Sequence, residues 1–476
     1  MNIITDFLDE TAKKFPNKIS IVDDKNSITF SNLQESTLKF ASEIIKFPKQ
    51  SVVSLIFENS IECVIAYLGI LKAGCIAHLI SPSISKQNLI NQMQSSDSKI
   101  LIFEKENFSD INEIECEKIQ ISEIYKQKKI EFVNRVDEND IAYLIYTSGT
   151  TSIPKGAGIS HKSSIFTTQN IINYLDYKDS DIDLLPLSLS HSFGLGCLHV
   201  SLFIGSTLYL QKNSSKIDEI IKSIKINNIT TLAAVPPTLS KILSYDYKQM
   251  FESISNLRLI VTNSTKIQSD VVKKYQKILK KGKIVTYYGL TEASRSTFMI
   301  FDKTKYDSVG IPPKGVQIKI MDSHDNLSKE GEICINGDNV INQYWKNKKA
   351  DANIVDGWLK TGDIGRLDSD GYLYVLGRLD DVINVAGEKV IPQEVEELVK
   401  KIPEIDEAIA VPMNHEIFGT VIKLYVKKVP NSEIQISQIL KYCISNLERF
   451  KVPAKIELID EFPKTEYGKI KRYNLK

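Results

Sequence analysis

The sequence predicts an α/β protein with a large N-terminal domain of stacked α/β-sheet subdomains and a β-rich subdomain, followed by a small C-terminal α+β domain. Up to about residue 135, short apolar segments alternate with helical ones, which is typical of a mainly parallel sheet. After about residue 309, the segments shorten and are separated by Gly-Asp, Gly-Trp and Asp-Gly turns. A new pattern starts after the polar stretch Arg378-Leu-Asp-Asp381, so we place the domains at residues 1–379 and 380–476.

Apolar strands and a capped helix account for much of the first domain. Residues 60–73 are predicted to form a helix that ends before Gly74, a residue suited to a helix C-terminus. This helix has an apolar face, so we interpret Cys63 and Cys75 as packing residues. The second group of strands is separated by lysine-rich helices and implies a second α/β layer. The predicted strands lie within residues 51–57, 99–103, 141–146, 183–210, 230–235, 257–262 and 283–288, and helices of the C-terminal domain are expected from about residue 392 and over about residues 434–450.

Composition argues against several classes of partner. The 476 residues include 60 basic and 59 acidic ones, and a net charge of +1 gives no global field that would attract nucleic acid or an anionic membrane. The 6 cysteines are scattered, without a Cys-x-x-Cys pair or a His/Cys cluster at zinc-ligand spacing, so we expect neither structural zinc nor a disulfide framework. The N-terminus lacks a secretion signal and no apolar run approaches the length of a membrane span, which favours a cytoplasmic protein.

The segment Tyr146-Thr-Ser-Gly-Thr-Thr-Ser-Ile-Pro-Lys-Gly156 follows a predicted buried strand and is rich in hydroxyl groups. Backbone N–H groups and hydroxyls at a strand end can hold phosphate. Gly149 allows close approach of the backbone, and Lys155 supplies a mobile positive charge. The segment is not a Walker A loop, because the lysine precedes the closing glycine. A Ser/Thr-rich surface turn is the alternative interpretation.

The segment Tyr287-Tyr-Gly-Leu-Thr-Glu292 combines an aromatic ring, a glycine, a hydroxyl and a carboxylate after a buried strand. An adenine can stack on the ring while the carboxylate holds Mg²⁺ near phosphates. An ordinary exit from a strand, with a tyrosine in the core, would give the same pattern.

Two later segments also carry candidate chemistry. Thr361-Gly-Asp363 places a carboxylate after a glycine turn, where it can accept hydrogen bonds from two ribose hydroxyls, and Arg378 could add a donor. The alternatives are an aspartate that caps its own turn and a solvated arginine. In the basic segment 461–472, Gly468 would let Lys469 project into a site formed by the other domain, whereas a solvated tail is the alternative.

Together, in this order and at these separations, the four segments resemble the adenylate-forming (AMP-binding) superfamily of acyl-CoA synthetases, peptide-synthetase adenylation domains and firefly luciferase. The resemblance implies ATP- and Mg²⁺-dependent activation of a carboxylic acid to acyl-AMP, with release of pyrophosphate. The acyl group would then pass to a thiol of CoA or of the phosphopantetheine arm of a separate carrier protein. The resemblance runs from Thr29-Phe-Ser-Asn-Leu33 to Arg472 and includes Gly331-Glu-Ile333, Gly377-Arg-Leu-Asp-Asp381 and Gly387-Glu-Lys389.

The resemblance also implies a role for each matching residue. Lys469 would bridge the attacking carboxylate and the α-phosphate, Thr291 would contact the α-phosphate, and Glu292 would hold Mg²⁺. Asp380 would be the hinge about which the small domain reorients between half-reactions, since one pocket cannot hold both Lys469 and a thiol arm. After that reorientation, the face with Gly387 and Lys389 would replace Lys469. The implied nucleotide contacts are Thr147, Ser148, Gly149, Thr150, Thr151 and Lys155 at the β- and γ-phosphates, Tyr288 at adenine, and Asp363 and Arg378 at the ribose.

The segment 186–195 looks like the acyl-pocket element of the superfamily, and His191, Phe193 and Gly289 are the candidate pocket residues. Relatives that activate α-amino acids have an aspartate near this place, whereas this chain has His-Ser-Phe-Gly, so we expect an acid without an α-ammonium group. His191 could equally be a packed core histidine. Arg295 could meet a second carboxylate or form a pair on the surface.

Two departures from the superfamily pattern concern the nucleotide. Ser152 stands where glycine is usual, which has a cost if the backbone there needs a positive φ. Thr262-Asn-Ser-Thr-Lys266 stands in place of a Gly-Gly-Ala-Pro-like adenine loop, so the resemblance implies no contacts from Asn263 to Lys266. A catalytically silent nucleotide-binding regulator is an alternative function, although the four charged residues of the motifs argue against it. A luciferase-like monooxygenase is a third, which only substrate chemistry separates.

Overall fold

The computed structural model describes residues 1–104, 114–121, 135–147, 155–212, 216–302, 304–385, 388–415, 419–464 and 470–475. The chain forms two compact units, one of residues 1–318 and 335–359 and the other of residues 319–334 and 360–476. The domain boundary between residues 379 and 380 that the sequence suggests is a different division of the chain and stays a prediction.

The first unit alternates helices and strands, as expected. No helix in the described part of the chain combines the length and the apolar character needed to cross a membrane. The helices are α1 (Thr5–Lys14), α2 (Phe30–Ile44), α3 (Ile61–Lys72), α4 (Lys86–Ser96), α5 (His161–Leu175), α6 (Ser192–Ile204), α7 (Ile217–Ile226), α8 (Pro236–Leu243), α9 (Tyr247–Ile254), α10 (Ser269–Ile278) and α11 (Lys348–Asp351). The strands are β1 (Ile19–Val22), β2 (Ser27–Thr29), β3 (Val52–Ile56), β4 (Ile76–Ile80), β5 (Ile100–Phe103), β6 (Glu117–Gln120), β7 (Ile141–Thr147), β8 (Lys155–Ser160), β9 (Ile182–Leu185), β10 (Thr207–Leu210), β11 (Thr231–Ala233), β12 (Leu259–Thr262), β13 (Lys283–Leu290) and β14 (Ala293–Ile300).

These strands form two mainly parallel sheets, which confirms the predicted α/β architecture. The eight-stranded sheet has the order β14-β13-β12-β11-β9-β10-β1-β2, and only β14 and β2 at its edges pair antiparallel. The six-stranded sheet has the order β6-β5-β3-β4-β7-β8, and only β8 pairs antiparallel. Every residue of β3 and β4 is buried, which explains why these strands are apolar except at Ser54 and His78, whose side chains hydrogen-bond to each other at 2.9 Å.

Helix α3 ends where the sequence predicts, and a serine caps its start. The Ser60 hydroxyl accepts a hydrogen bond from the Cys63 N–H at 3.1 Å and so caps the helix start. Gly74 follows the helix end with φ at +70°, a conformation that glycine adopts without steric cost. Burial raises the pKa of the Cys63 thiol to about 12 and that of Cys75 to about 11, so both are packing groups and not nucleophiles.

The β-rich part and the C-terminal part carry smaller sheets. A five-stranded sheet runs β15-β16-β18-β17, with β19 on β18, and a three-stranded sheet runs β22-β23-β24. The helix expected over about residues 434–450 is shorter and spans Ile436–Asn446, because the backbone at Leu447 is extended. The elements are β15 (Val316–Met321), β16 (Glu330–Gly337), β17 (Ile354–Val355), β18 (Trp358–Leu367), β19 (Leu373–Arg378), β20 (Ile383–Val385), β21 (Glu388–Val390), α12 (Pro392–Val399), β22 (Ile405–His415), β23 (Gly419–Lys428), α13 (Ile436–Asn446) and β24 (Lys455–Leu458), with 3-10 helices at Leu379–Asp381, Arg449–Lys451 and Arg472–Asn474.

A buried carboxylate lies inside the eight-stranded sheet. Asp183 of β9 is only 7% exposed, and its two oxygens accept hydrogen bonds from the hydroxyls of Ser206 and Thr231. Burial is the main cause that raises the pKa of Asp183 to about 6, with a contribution from nearby Asp181. The two hydrogen bonds and Arg258, which is paired with Asp181, act in the opposite direction.

We therefore expect the free energy of unfolding of the Asp183→Asn variant to depend less on pH than that of the wild type. The folded protein keeps this proton up to about pH 6, whereas the unfolded chain releases it near its ordinary value of about 3.8. Stability from this group is thus full at low pH and falls as the pH rises from about 4 to 6, by at most about 1.4 kcal/mol per pH unit. Urea unfolding of both proteins between pH 4.5 and 7.5 measures this slope. The exposed Asp270→Asn variant should keep the wild-type slope, and an unchanged slope in Asp183→Asn would contradict the prediction.

Candidate active site

The hairpin β13–β14 carries one group of predicted site residues at its tip. Tyr288 and Gly289 lie in β13, and Thr291 and Glu292 form the two-residue turn between the strands. The register of the two strands shifts between Tyr288 and Leu290, which marks a bulge. A Cβ on Gly289 would lie 2.5 Å from the backbone nitrogen of Arg295. Only glycine therefore fits at position 289 without moving the hairpin backbone, and the bulge sets the turn residues in place.

Glu292 is buried and has a definite partner. It is 9% exposed, and the hydroxyl of Tyr344 donates a hydrogen bond to its Oε1 at 3.0 Å. The Ile341 N–H donates to the Glu292 carbonyl oxygen at 2.9 Å. Among the described residues there is no group of three or more His, Cys, Asp or Glu side chains that could hold a metal ion by itself. A single carboxylate suits Mg²⁺ that binds mainly through phosphates and water, so the donor set fits the predicted Mg²⁺.

Lys155 lies close to the same tyrosine. It opens β8 directly opposite Thr147 at the end of β7, and its Nζ is 5.9 Å from the centre of the Tyr344 ring. The ring of Tyr344 thus connects the lysine of the predicted phosphate loop with the carboxylate of the hairpin. The rest of that loop, Ser148, Gly149, Thr150, Thr151 and the departure Ser152, lies outside the described residues.

The segment of residues 340–345, which we term the crossing segment, holds this arrangement together. Val340 forms an antiparallel bridge with Ala293 of β14, and Tyr344 forms one with Ala157 of β8. The Trp345 N–H also donates to the Gly156 carbonyl oxygen at 2.8 Å. The crossing segment therefore joins an edge strand of each sheet. No sequence motif marks Tyr344, and its only signal in the sequence is a pair of adjacent aromatic residues in a polar stretch.

The predicted acyl-pocket residues meet the hairpin at the start of α6. His191 is partly exposed and precedes the first residue of the helix, so it is not a packed core histidine. Phe193 is buried, and its ring contacts the edge of the Tyr287 ring at a centroid distance of 5.4 Å. A Cβ on Gly194 would lie 2.3 Å from the Ser188 carbonyl oxygen, which explains the glycine at this close approach.

Arg295 is buried beside these residues and is only 4% exposed. Its Nη1 donates to the Ser192 carbonyl oxygen and to the Ser294 hydroxyl, each at 2.8 Å. Its Nη2 donates to the Phe193 carbonyl oxygen at 3.1 Å. Of the two alternatives left by the sequence, a pair on the surface is therefore wrong.

Asp363 and Arg378 are brought together in the second unit. They are opposite each other in the antiparallel pair β18–β19, and the Arg378 Nη1 donates to the Asp363 Oδ1 at 2.8 Å. Gly362 has a φ of +71°, and its N–H donates to Glu332 at 2.9 Å. The Asp363 N–H donates to the Thr361 hydroxyl at 3.1 Å, so the backbone around the carboxylate is fixed from both sides.

Lys469 and Gly387 lie outside the described residues, and around Lys469 the description ends at residue 464 and resumes at residue 470. The Lys471 N–H donates to the Pro463 carbonyl oxygen at 2.8 Å. Arg472 forms two hydrogen bonds, of 2.6 and 2.7 Å, with the buried carboxylate of Glu396. Arg472 Nε also lies 3.7 Å from Asp381. These contacts fix the chain three residues beyond Lys469.

The proposed hinge lies on the surface, and within the second departure from the superfamily pattern Thr262 is buried whereas Ser264 and Lys266 are exposed. Asp380 is exposed in the 3-10 helix that follows β19, and Lys389 is exposed in β21. Ser264 has a φ of +88°. Lys266 lies 3.1 Å from the Asp307 carboxylate, an exposed ion pair.

The comparisons with known proteins show that this fold is that of an adenylate-forming enzyme. The sequence model of the AMP-binding enzyme family matches residues 8–345, and that of the AMP-binding enzyme C-terminal domain matches residues 394–469. The chain therefore belongs to the AMP-binding enzyme family.

Similar proteins cover almost the whole chain. The 2-succinylbenzoate–CoA ligase of Bacillus subtilis is 28% identical over 99% of this chain and 97% of its own length. The oxalate–CoA ligase of Arabidopsis thaliana is 28% identical over 98% and 97%. The solved structure of the Bacillus subtilis o-succinylbenzoate CoA synthetase with its acyl-adenylate intermediate matches with a TM-score of 0.89 at 26% identity, over 99% of this chain and 97% of that one.

These findings confirm the predicted superfamily, the fold and the ligase class. ATP-bound MatB from Rhodopseudomonas palustris has a TM-score of 0.91 at 22% identity, which shows the shared fold alone. The roles of individual site residues stay predictions.

The Tyr344→Phe variant removes only the hydroxyl that donates to Glu292. A hydrogen bond to a charged group typically contributes about 1.5–3 kcal/mol, so we expect at least about a tenfold lower rate of acid-dependent pyrophosphate exchange, with a higher Mg²⁺ requirement. The exchange rate is measured as a function of Mg²⁺ concentration. Tyr275→Phe is the matched control, because the Tyr275 hydroxyl is also buried but donates to the Leu239 carbonyl oxygen. Equal rates in the two variants would show that the Tyr344 hydroxyl does not act through Glu292.

Proposed function

We propose that this protein uses ATP and Mg²⁺ to activate a carboxylic acid without an α-ammonium group, and that it passes the acyl group to CoA. The observation that carries the proposal is the arrangement of Lys155, Tyr344 and Glu292. A buried carboxylate at the hairpin tip of one sheet and a lysine on an edge strand of the other sheet converge on one tyrosine. Such a pairing of a cation with a carboxylate that can bind a metal suits a triphosphate, whose negative charge both Lys155 and Mg²⁺ on Glu292 would offset.

The groups that would hold the nucleotide are side chains whose positions are set by contacts within the protein. Tyr288 is partly exposed at the end of β13 and offers a ring face to adenine. Asp363 is 6% exposed and already accepts a hydrogen bond from Arg378, so its carboxylate is oriented to accept from two ribose hydroxyls. Thr291, at the hairpin turn, would donate to the α-phosphate.

The first half-reaction needs a cation between two anions. The carboxylate oxygen attacks the α-phosphorus, the bond to the β-phosphate oxygen breaks, and pyrophosphate leaves with that electron pair. Lys469 would offset the negative charge that grows on the phosphoryl oxygens during this step.

In the second half-reaction the CoA thiol attacks the acyl carbon, loses its proton and displaces AMP. We propose Asp380 as the hinge that exchanges Lys469 for the face with Lys389 between the two steps.

The pocket supports an acid without an amino group. The segment that leads into α6 reads His191-Ser-Phe-Gly194, and so lacks the aspartate that pairs with the amino group in relatives that activate α-amino acids. CoA as the acceptor is supported by relatives that are named as CoA ligases. A separate carrier protein is the alternative acceptor, and we place the reaction in the cytoplasm.

The test is acid-dependent exchange of labelled pyrophosphate into ATP, across a panel of fatty, aryl, dicarboxylic and α-amino acids. We expect exchange with at least one acid that lacks an α-ammonium group and none with α-amino acids. Product analysis with CoA, and with a phosphopantetheinylated carrier protein in its place, identifies the acceptor. No exchange with any acid would favour a catalytically silent nucleotide-binding protein.

The Lys469→Ala variant should separate the two half-reactions. We expect the rate of acyl-AMP formation to fall by about 10²–10³-fold, because one preorganised charge is lost in the transition state. Transfer from a chemically prepared acyl-AMP to CoA should stay near the wild-type rate. The neighbouring Lys471→Ala variant is the control and should retain both activities. If Lys469→Ala forms acyl-AMP at the wild-type rate, the assignment of this lysine is wrong.

A further inference from the structure

The side chain of Arg295 occupies an unusual place for a charged group. A small cavity lies between α5, α6 and the eight-stranded sheet, and apart from the guanidinium its walls are largely apolar, with Ile171, Leu175, Val200 and Phe298 among them. The guanidinium lines this cavity next to Phe193 at the start of α6. The backbone of Arg295 lies directly against Gly289 at the hairpin.

The guanidinium is held tightly on two sides. Its Cζ lies 4.8 Å from the centre of the Tyr287 ring. On the helix side, a Cβ on Gly196 would lie only 2.4 Å from Nη2, so glycine at this position leaves the space that the guanidinium fills. The guanidinium is therefore packed between an aromatic ring and the helix backbone, and a ligand tail cannot pass at this place without displacing it.

The hydrogen bonds of Arg295 also fix it in that position. Nη1 makes two, and Nη2 makes one, to groups of the chain itself. In the part of the chain that the structure describes, Arg295 forms no ion pair with a carboxylate. Its positive charge is instead stabilised by carbonyl oxygens and by the face of the Tyr287 ring. Its backbone has a φ of +53°, a conformation that few non-glycine residues adopt, which directs the side chain away from the ordinary strand direction.

We propose that Arg295 is a stopper that determines acyl-chain length: it closes the acid site beside Phe193 and Gly289 and keeps the acyl tail out of the apolar cavity behind it. The inference rests on the proposed function, since it places the acid next to these two residues. The preferred substrate is then a short or compact carboxylic acid. With the stopper removed, the space left by its side chain joins this small cavity, and the two together offer apolar surface to a longer chain.

Two substitutions of Arg295 separate its volume from its charge. Arg295→Met keeps most of the side-chain volume without the charge, although the side chain is shorter, whereas Arg295→Ala removes the obstruction. Pyrophosphate exchange is measured for the wild type and both variants with unbranched saturated acids of increasing length, with aryl acids, and with succinate and glutarate. Arg295→Val serves as a second shortened variant, and thermal unfolding with and without ATP establishes that each variant is folded.

We expect Arg295→Met to keep the wild-type limit on chain length. In Arg295→Ala, and to a smaller extent in Arg295→Val, kcat/KM for acids beyond that limit should rise relative to the wild type by about fourfold for each added methylene group, as expected for burial of apolar surface. The variants with a shortened side chain should differ from Arg295→Met in this respect alone.

Three outcomes would overturn the stopper. The first is no gain on longer acids in either shortened variant. The second is an equal loss in the Met and Ala variants that is confined to dicarboxylic acids, which would make Arg295 a reader of a second carboxylate. The third is a gain in Arg295→Met as large as that in Arg295→Ala. Exchange by the wild type with any acid shows that the proposed function stands even if the stopper fails, whereas no exchange by any of the proteins refutes the proposed function itself.

Discussion

The crossing segment pairs with edge strands of both sheets of the first unit, and the geometry of the candidate site depends on that pairing. Its bridges at Ala293 and Ala157 fix the distance between the hairpin β13–β14 and the start of β8. Tyr344 is part of the second bridge and bonds to Glu292 through its hydroxyl. One short segment thus fixes the edge strands of the two sheets relative to each other and also orients the Glu292 carboxylate. The site is therefore preorganised, so that little rearrangement is needed when charge develops on a bound phosphate.

Close approaches of backbone at a few glycines determine the shape of the acid side of the site. Gly289 lets the hairpin bulge, Gly194 lies against Ser188, and Gly196 leaves room for the guanidinium of Arg295. None of the three has a positive φ in the structure, so the requirement is for space and not for backbone conformation. Glycine inside a helix ordinarily has a conformational cost of about 0.5–1 kcal/mol relative to alanine. At Gly196 that cost is accepted because a methyl group would displace a buried charged side chain.

Charged groups in the second unit are arranged so that the chain near Lys469 is fixed to the helix core. Arg472 bonds in a bidentate manner to Glu396 of α12, and Glu396 also accepts a hydrogen bond from the Ala410 N–H at 2.8 Å. Glu396 is 3% exposed, so a loss of Arg472 would leave a buried carboxylate without its counter-ion. Asp381, the neighbour of the proposed hinge, lies near the same guanidinium. The chain at the hinge and the chain beyond Lys469 therefore share one ion-pair network around the buried Glu396 carboxylate.

The sequence by itself determined the α/β architecture, the positions of most strands, the cap of α3 and the chemistry of the motifs, because these depend on periodicity and on residue types close together in the chain. Asp363 and Arg378 could be related in this way since they are only fifteen positions apart and face each other in adjacent strands. Only the tertiary structure decided that Tyr344 bonds to Glu292 and that Arg295 is buried against α6. Those contacts join residues 52 and about a hundred positions apart, and no local pattern records them. Whether a charged side chain is solvated or packed depends on what the rest of the fold places beside it, and at Arg295 that was a helix with a glycine at the point of contact.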